Sequence, residues 1–198
     1  MKFIPFASLA LGVALVAGCV APVGPVEVTR FHAPDTAALG RGAIAIEPAS
    51  GQDGQSLEFR SYAAAVQRQL TLLGYGEPVA GSNSPQVAVL RLERQTYQPQ
   101  RARGPVSVGV GGSTGSYGSG IGVGIGLDLS GPPPEQVETL LAVTIKDRLS
   151  GQALWEGRAS FAVSAKSPMA NTQLGAAKMA EALFKSFPGV SGETIEVK

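Results

Sequence analysis

Cys19 is the residue whose neighbours specify its chemistry best. It is the only cysteine among 198 residues, and Val16-Ala17-Gly18 stand directly before it. Those residues close an apolar run that starts at Phe3, behind the single positive charge of Lys2. A charge, a short apolar run and a small-residue cleavage site make the order of a secretory signal. The run is shorter than the roughly 20 residues that a spanning helix needs. Val16-Ala17-Gly18-Cys19 reads as a bacterial lipobox, in which the sulfur takes diacylglycerol and cleavage leaves an acylated N-terminus. The alternative is an ordinary signal, or an uncleaved anchor, with Cys19 incidental. Acylation gives the sole thiol a role, since a lone cysteine can form no internal disulfide. Each buried methylene contributes about 0.8 kcal/mol, and two or more acyl chains hold a protein stably on a bilayer. Val20 stands where an aspartate would favour retention at the inner membrane, which points to the periplasmic face of the outer membrane.

The other reactive residue types give weaker patterns. Gly111-Gly112-Ser113-Thr114-Gly115 has the spelling of a nucleophile elbow, but that motif needs a strand, a sharp turn and then a helix. Here it falls in a glycine-rich stretch with no helix behind it, and the only histidine, His32, comes before the serine rather than after it. His32 has no second His or Cys apart from Cys19, whereas metal clusters need three or four converging ligands. Glu93, Asp128, Asp147 and Glu156 are the carboxylates available for acid–base work of the glycosidase kind. A three-residue turn at Leu149-Ser150-Gly151 would pair Asp147 with Ala153 and Glu156 with Thr144, on opposite faces. A two-residue turn would instead set Asp147 opposite Leu154, diagonal to Glu156. Trp155 is the only tryptophan; a lone Trp in a strand that also carries Ala159 and Phe161 reads as core rather than as a ligand platform. No dinucleotide fingerprint or phosphate loop is present. The sequence therefore assigns no catalytic, cofactor or metal residue, and the chain is expected not to be an enzyme.

Charge narrows the partners. Without Lys2, fifteen basic residues face fifteen acidic ones. The densest basic group, Arg91, Arg94, Arg101 and Arg103, is interrupted by Glu93. This is neither a nucleic-acid footprint nor a polybasic membrane patch.

Elements must position whatever acts. Residues 1–18 read as signal, 19–25 as a lipidated tether kept extended by Pro22 and Pro25, and 26–198 as one domain. Alternation predicts strands over 26–32, 43–47 and 86–97, and a hairpin over 138–148 and 152–164 with Ile145 opposite Trp155. Ser56 caps a helix over 57–73 whose stripe includes Phe59, Tyr62, Val66 and Leu70, with Gly74 as its left-handed stop. A second helix is expected from about Pro168 to Phe187, and 194–197 fits a short edge strand. The order predicts an α+β domain: a largely antiparallel sheet, two helices on one face, and a glycine-rich hairpin.

That hairpin is expected within residues 104–131, with arms near 105–111 and 120–129. Val106, Val108 and Val110, then Ile121, Val123, Ile125 and Leu127, alternate mostly with glycine. Three readings stay open. One face covers the core and the glycine face is solvated; or the bare face admits another backbone, ring or acyl chain; or the segment is partly disordered or self-associates.

Taken in order, the lipobox, the helix ending Leu72-Leu73-Gly74-Tyr75, the strand Val87-Ala88-Val89-Leu90 and the glycine-rich alternation form a sequence of features. Asp147-x-x-Ser150-Gly151-x-x-Leu154-Trp155-Glu156-Gly157 and a last helix running into Phe187-Pro188 complete it. This resembles the bacterial lipoproteins of the domain-of-unknown-function family DUF4136, over about residues 26–190. The resemblance implies location and fold and transfers no catalytic residue. The expectation is a lipid-anchored envelope protein of non-catalytic binding or structural role, held by acylated Cys19, with an envelope protein as partner. A periplasmic carrier of a small apolar ligand or lipid is the alternative.

Overall fold

The computed structural model describes residues 23–78, 83–100, 106–115, 118–127 and 133–198. The signal segment, Cys19 and Asp128 lie outside them. Strands β1 (Val26–His32), β2 (Ile44–Pro48), β3 (Gln86–Tyr97), β6 (Gln136–Asp147), β7 (Ala153–Ser164) and β8 (Thr194–Val197) form one sheet in the order β2-β3-β6-β7-β1-β8. Only β2 and β3 run parallel; the other neighbours are antiparallel. Strands β4 (Val106–Gly115) and β5 (Gly118–Leu127) pair antiparallel as a separate two-stranded sheet. They run further toward their connection than the alternation alone predicts.

Helices α1 (Leu57–Leu72) and α2 (Thr172–Phe184) pack side by side on one face of the large sheet. In α1 the Ser56 hydroxyl accepts from Phe59 N at 3.1 Å, as an N-cap should. The helix stops in a Schellman geometry. Gly74, at φ +99°, donates to Thr71 O, and Tyr75 N donates to Leu70 O, both at 3.1 Å. Tyr75 folds back and is buried. The left-handed backbone and the Gly40 carbonyl, which a Cβ at residue 74 would approach to 2.9 Å, both require glycine there.

The second helix corrects the expectation. Pro168–Ala170 is one 3-10 turn, Asn171 is extended, and α2 starts only at Thr172. The reason is local capping. Ser167 Oγ accepts from Met169 N, and Asn171 Oδ1 accepts from Gln173 N at 3.0 Å, so two caps compete where one continuous stripe was read. At the other end Lys185 returns to extended backbone, and Phe187 is carried to the core by a turn rather than by the helix.

The β6–β7 hairpin keeps the expected pairs Ile145 with Trp155 and Thr144 with Glu156. Its end differs. The register shifts after Ile145, so that Lys146 rather than Asp147 faces Ala153. The irregularity frees Asp147 for the turn: its Oδ1 accepts from both Ser150 N and Ser150 Oγ at 2.7 Å.

Trp155 is core, 1% exposed. Its ring stacks on Phe184 at 5.3 Å and meets Phe187 at 5.2 Å, and its indole N–H donates to Pro188 O at 3.0 Å. Gly157 lies under that ring. A Cβ there would fall 2.2 Å from Trp155 Cη2 and 2.8 Å from Leu183 Cδ1. Arg30 also points inward, in phase with Val26 and Val28. Among the described residues it forms no ion pair in that position. Its Nε and Nη2 donate to Leu183 O and Ala182 O, both at 3.0 Å, at the C-terminal end of α2 where the helix dipole favours a cation. Burial lowers the Arg30 pKa, and the nearby Glu193 charge raises it.

Candidate functional site

Among the described residues, no element of the six-stranded domain packs on the sheet face away from the helices, and alternation decides what it carries. Cross-strand rows can be read from the register. Val89, Thr144 and Glu156 form one row; Arg91, Ala142 and Arg158 the next; Glu93, Leu140 and Ser160 a third. With Ala49 and Ser50 at the rim, these rows border an open groove of about 530 Å³. Small Ala142 between two arginines makes the floor low. Arg91 lies 3.7 Å from Glu93, both well exposed, a pair that contributes little to stability. The groove thus mixes Arg91, Lys146 and Arg158 with Glu93 and Glu156 over a half-buried apolar floor. It lacks the continuous apolar lining that an enclosed ligand pocket has.

Of the carboxylates considered from sequence, the three among the described residues do not converge, and Asp128 lies outside them. Glu93 and Glu156 share the groove but stand two strands and four residues apart, roughly 16 Å from standard sheet spacings. Paired glycosidase carboxyls lie within about 9.5 Å. Asp147 is occupied in the turn, and the backbone N–H and hydroxyl of Ser150 hold its carboxyl below the ordinary value of 3.8. Ser113 lies inside β4, paired with Gly120, and the next described element is β5 rather than a helix. His32 ends β1. Its Nδ1 donates to Ala33 O at 2.8 Å, and its backbone N–H donates to Ser191 Oγ. Among the described residues no three His, Cys, Asp or Glu side chains are grouped to hold a metal ion. Tyr62 is buried between α1 and the sheet, which raises its pKa and keeps it a neutral packing residue.

The roles of two arginines do not follow from the sequence reading. Arg94, at the inward phase of β3, donates to Glu58 Oε1 at 2.7 Å, to Thr172 Oγ1 at 2.9 Å and to the carbonyl of Ala170. It ties the first turn of α1 to the start of α2. Arg30 closes the other end of α2. The available signal was phase: both arginines sit where alternation demands an inward side chain.

The sequence profile described as domain of unknown function (DUF4136) matches residues 30–189. The chain belongs to this family. A relative is the uncharacterized protein ZMO1243 of Zymomonas mobilis, 29% identical over 215 residues, covering 88% of this chain and 80% of that protein. Among solved structures, a PDZ domain protein from Parabacteroides distasonis aligns at a TM-score of 0.46 and 9% identity, over 88% of this chain and 39% of that one. A PelC dodecamer from Paraburkholderia phytofirmans aligns at 0.41 and 12% identity, over 80% and 96%. The chain thus spans well under half the length of the first of these structures. For this DUF4136 domain, the family transfers fold and no residue role.

Proposed function

We propose that this DUF4136 protein is a lipid-anchored component of the cell envelope with a non-catalytic binding role. It is held on the periplasmic face of the outer membrane by acylated Cys19, and it meets an envelope protein partner through the grooved face of its sheet. The observation that carries the reading is Val16-Ala17-Gly18-Cys19 at the end of an apolar run, with the chain's sole thiol in the lipobox position. Six residues lie between Cys19 and Val26, the first residue of β1, so seven Cα steps give a reach of at most about 25 Å. That tether keeps the domain close to the lipid surface. The mixed charges of the groove suit a polar protein surface, which orients a partner more than it tightens it. A carrier for an apolar ligand is the weaker reading, because five charged residues border the groove.

The test is intact mass spectrometry of protein extracted from membranes, beside a Cys19→Ser variant. Loss of residues 1–18 with a gain of acyl mass on Cys19 is the expected result. The variant should move to the soluble periplasmic fraction. Membrane association unchanged by Cys19→Ser, with no acyl mass on the parent, would overturn the reading.

A further inference from the structure

Strands β4 and β5 are ten residues each, and they sit in a 24-residue stretch, 104–127, with no charged residue. Arg101 and Arg103 precede it and Asp128 follows it. Their pairing places Val106, Val108 and Val110 directly across from Leu127, Ile125 and Val123. Directly paired positions share a face, so these six residues form one continuous apolar face. The intervening pairs, such as Gly109 with Gly124 and Gly111 with Gly122, form a face of glycine with serine near it. The stretch carries no charge and keeps period two over 106–110 and 121–127, and ten residues per strand match the length of a strand that crosses a bilayer at a tilt of about 45°.

Topology supplies an independent observation. Tyr97, which ends β3, pairs with Gln136, which begins β6, and Gln136 pairs with Ser164, which ends β7. Antiparallel to β7, β1 begins at that same end, and a Cβ on Gly24 would meet Ala162 O at 4.0 Å. The tether from Cys19 and the segment that holds β4 and β5 therefore leave the large sheet at one end. An acyl chain on Cys19 turns that end toward the membrane. This part of the argument rests on the anchor proposed above; the strand pattern does not.

The geometry points to a membrane-inserted β-hairpin: β4 and β5 enter the bilayer beside the acyl anchor, apolar face to lipid, and hairpins from further copies of this chain close the open edges into a barrel. The closure follows from backbone chemistry. Within hydrocarbon an unpaired strand edge has no water to satisfy its N–H and C=O groups, so only closed barrels persist. A single hairpin cannot close. The smallest such barrels have about eight strands, hence roughly four copies or more. The glycine and serine face then lines the lumen.

The full-length protein, purified in detergent and reconstituted into phosphatidylethanolamine–phosphatidylglycerol vesicles, tests this. Cysteine is introduced singly at four adjacent phases (Val108→Cys, Gly109→Cys, Gly124→Cys and Ile125→Cys) and labelled with a membrane-impermeant maleimide, the site being located by mass spectrometry. In vesicles the two glycine positions should label at least about tenfold faster than the two apolar ones, because lumen and lipid faces alternate. Native mass spectrometry in detergent should show an oligomer of roughly four copies or more. Equal rates at all four sites, alternation of the opposite phase, or a monomer overturns the hairpin. The same spectra report Cys19. Acyl mass present with no alternation sinks the hairpin alone; alternation present with an unmodified Cys19 sinks the anchor alone. Val108→Asp together with Ile125→Asp should abolish insertion while leaving the thermal melt of the six-stranded domain in place, so a loss of insertion is not a loss of folding.

Discussion

In β6 and β7 the positions between the apolar ones carry Glu138, Thr144, Lys146, Glu156 and Arg158; in β4 and β5 the corresponding positions are glycine or serine. Both regions have period two, and period two alone specifies a strand. The off-phase residue decides what surrounds the strand. Charged side chains commit one face of the large sheet to water, and helices cover the other. Glycine commits a face to nothing by itself, and only the apolar face of β4 and β5 asks for a covering. The two regions also treat exceptions differently. In the large sheet the inward departures from aliphatic residues are few, and each has a particular partner: Gly157 has the Trp155 ring and Arg30 has the end of α2. In β4 and β5 the departure is the rule.

The contrast breaks first at glycine. Gly157→Ala forces a methyl to within 2.2 Å of the indole, and the ring cannot yield because Phe184 and Phe187 hold it. The expected cost is about 3 kcal/mol or more, from overpacking and a displaced Trp. That is a fall of roughly 6–12 °C in Tm for a domain of this size. Gly109→Ala, the same change in β4, should shift the melt by under about 2 °C, as a substitution outside a packed core does. Calorimetry of both variants decides it. Equal shifts would mean that glycine in the two regions answers the same requirement.

Arg30→Met asks whether the buried guanidinium stabilises or is merely tolerated. Exchanging buried charges for apolar groups is sometimes neutral or favourable. Here the charge faces the carbonyls of Ala182 and Leu183 rather than a carboxylate, and removal leaves helix-end acceptors short of a donor. The expected loss is about 2 kcal/mol in urea unfolding. Arg30→Lys should recover only part, because one ammonium cannot reproduce the planar fork. A variant with Met at least as stable as the parent removes the carbonyl capping from the account.

These cases show what was legible from sequence. Strand phase was: Val26–His32, Gln86–Tyr97 and the pair Ile145 with Trp155 follow from alternation, and the Ser56 and Gly74 signals bound α1. The break at Asn171 was not, because its apolar stripe continues across it while the competing caps at Ser167 and Asn171 act through backbone geometry. The groove was half legible. Glu93 and Glu156 stand out in the sequence as carboxylates, yet their separation depends on pairing order, and Arg91 and Arg158 gain meaning only across Ala142. The irregularity after Ile145 depends on the turn, where the Asp147 carboxylate is engaged by Ser150.

That turn gives the smallest expected effect and the last difference between the two regions. Ser116-Tyr117, between β4 and β5, offers no carboxylate, whereas the β6–β7 turn is organised by one. Two hydrogen bonds from Ser150 favour the ionised form of Asp147, so its pKa in the fold lies below the ordinary 3.8. An unfolded chain titrates near that ordinary value, and the group therefore contributes stability that is present above it. The contribution is lost as pH falls through the lower folded value, where both states are protonated. Asp147→Asn keeps an acceptor for Ser150 and removes only the charge. The Tm of the parent should exceed that of the variant by a small, constant amount from about pH 5 to 8, and the difference should close as pH falls below the ordinary carboxylate value. An offset that persists unchanged into acid would show that the aspartate acts through shape rather than charge, and the turn would then owe its form to Gly151, at φ +72°, instead.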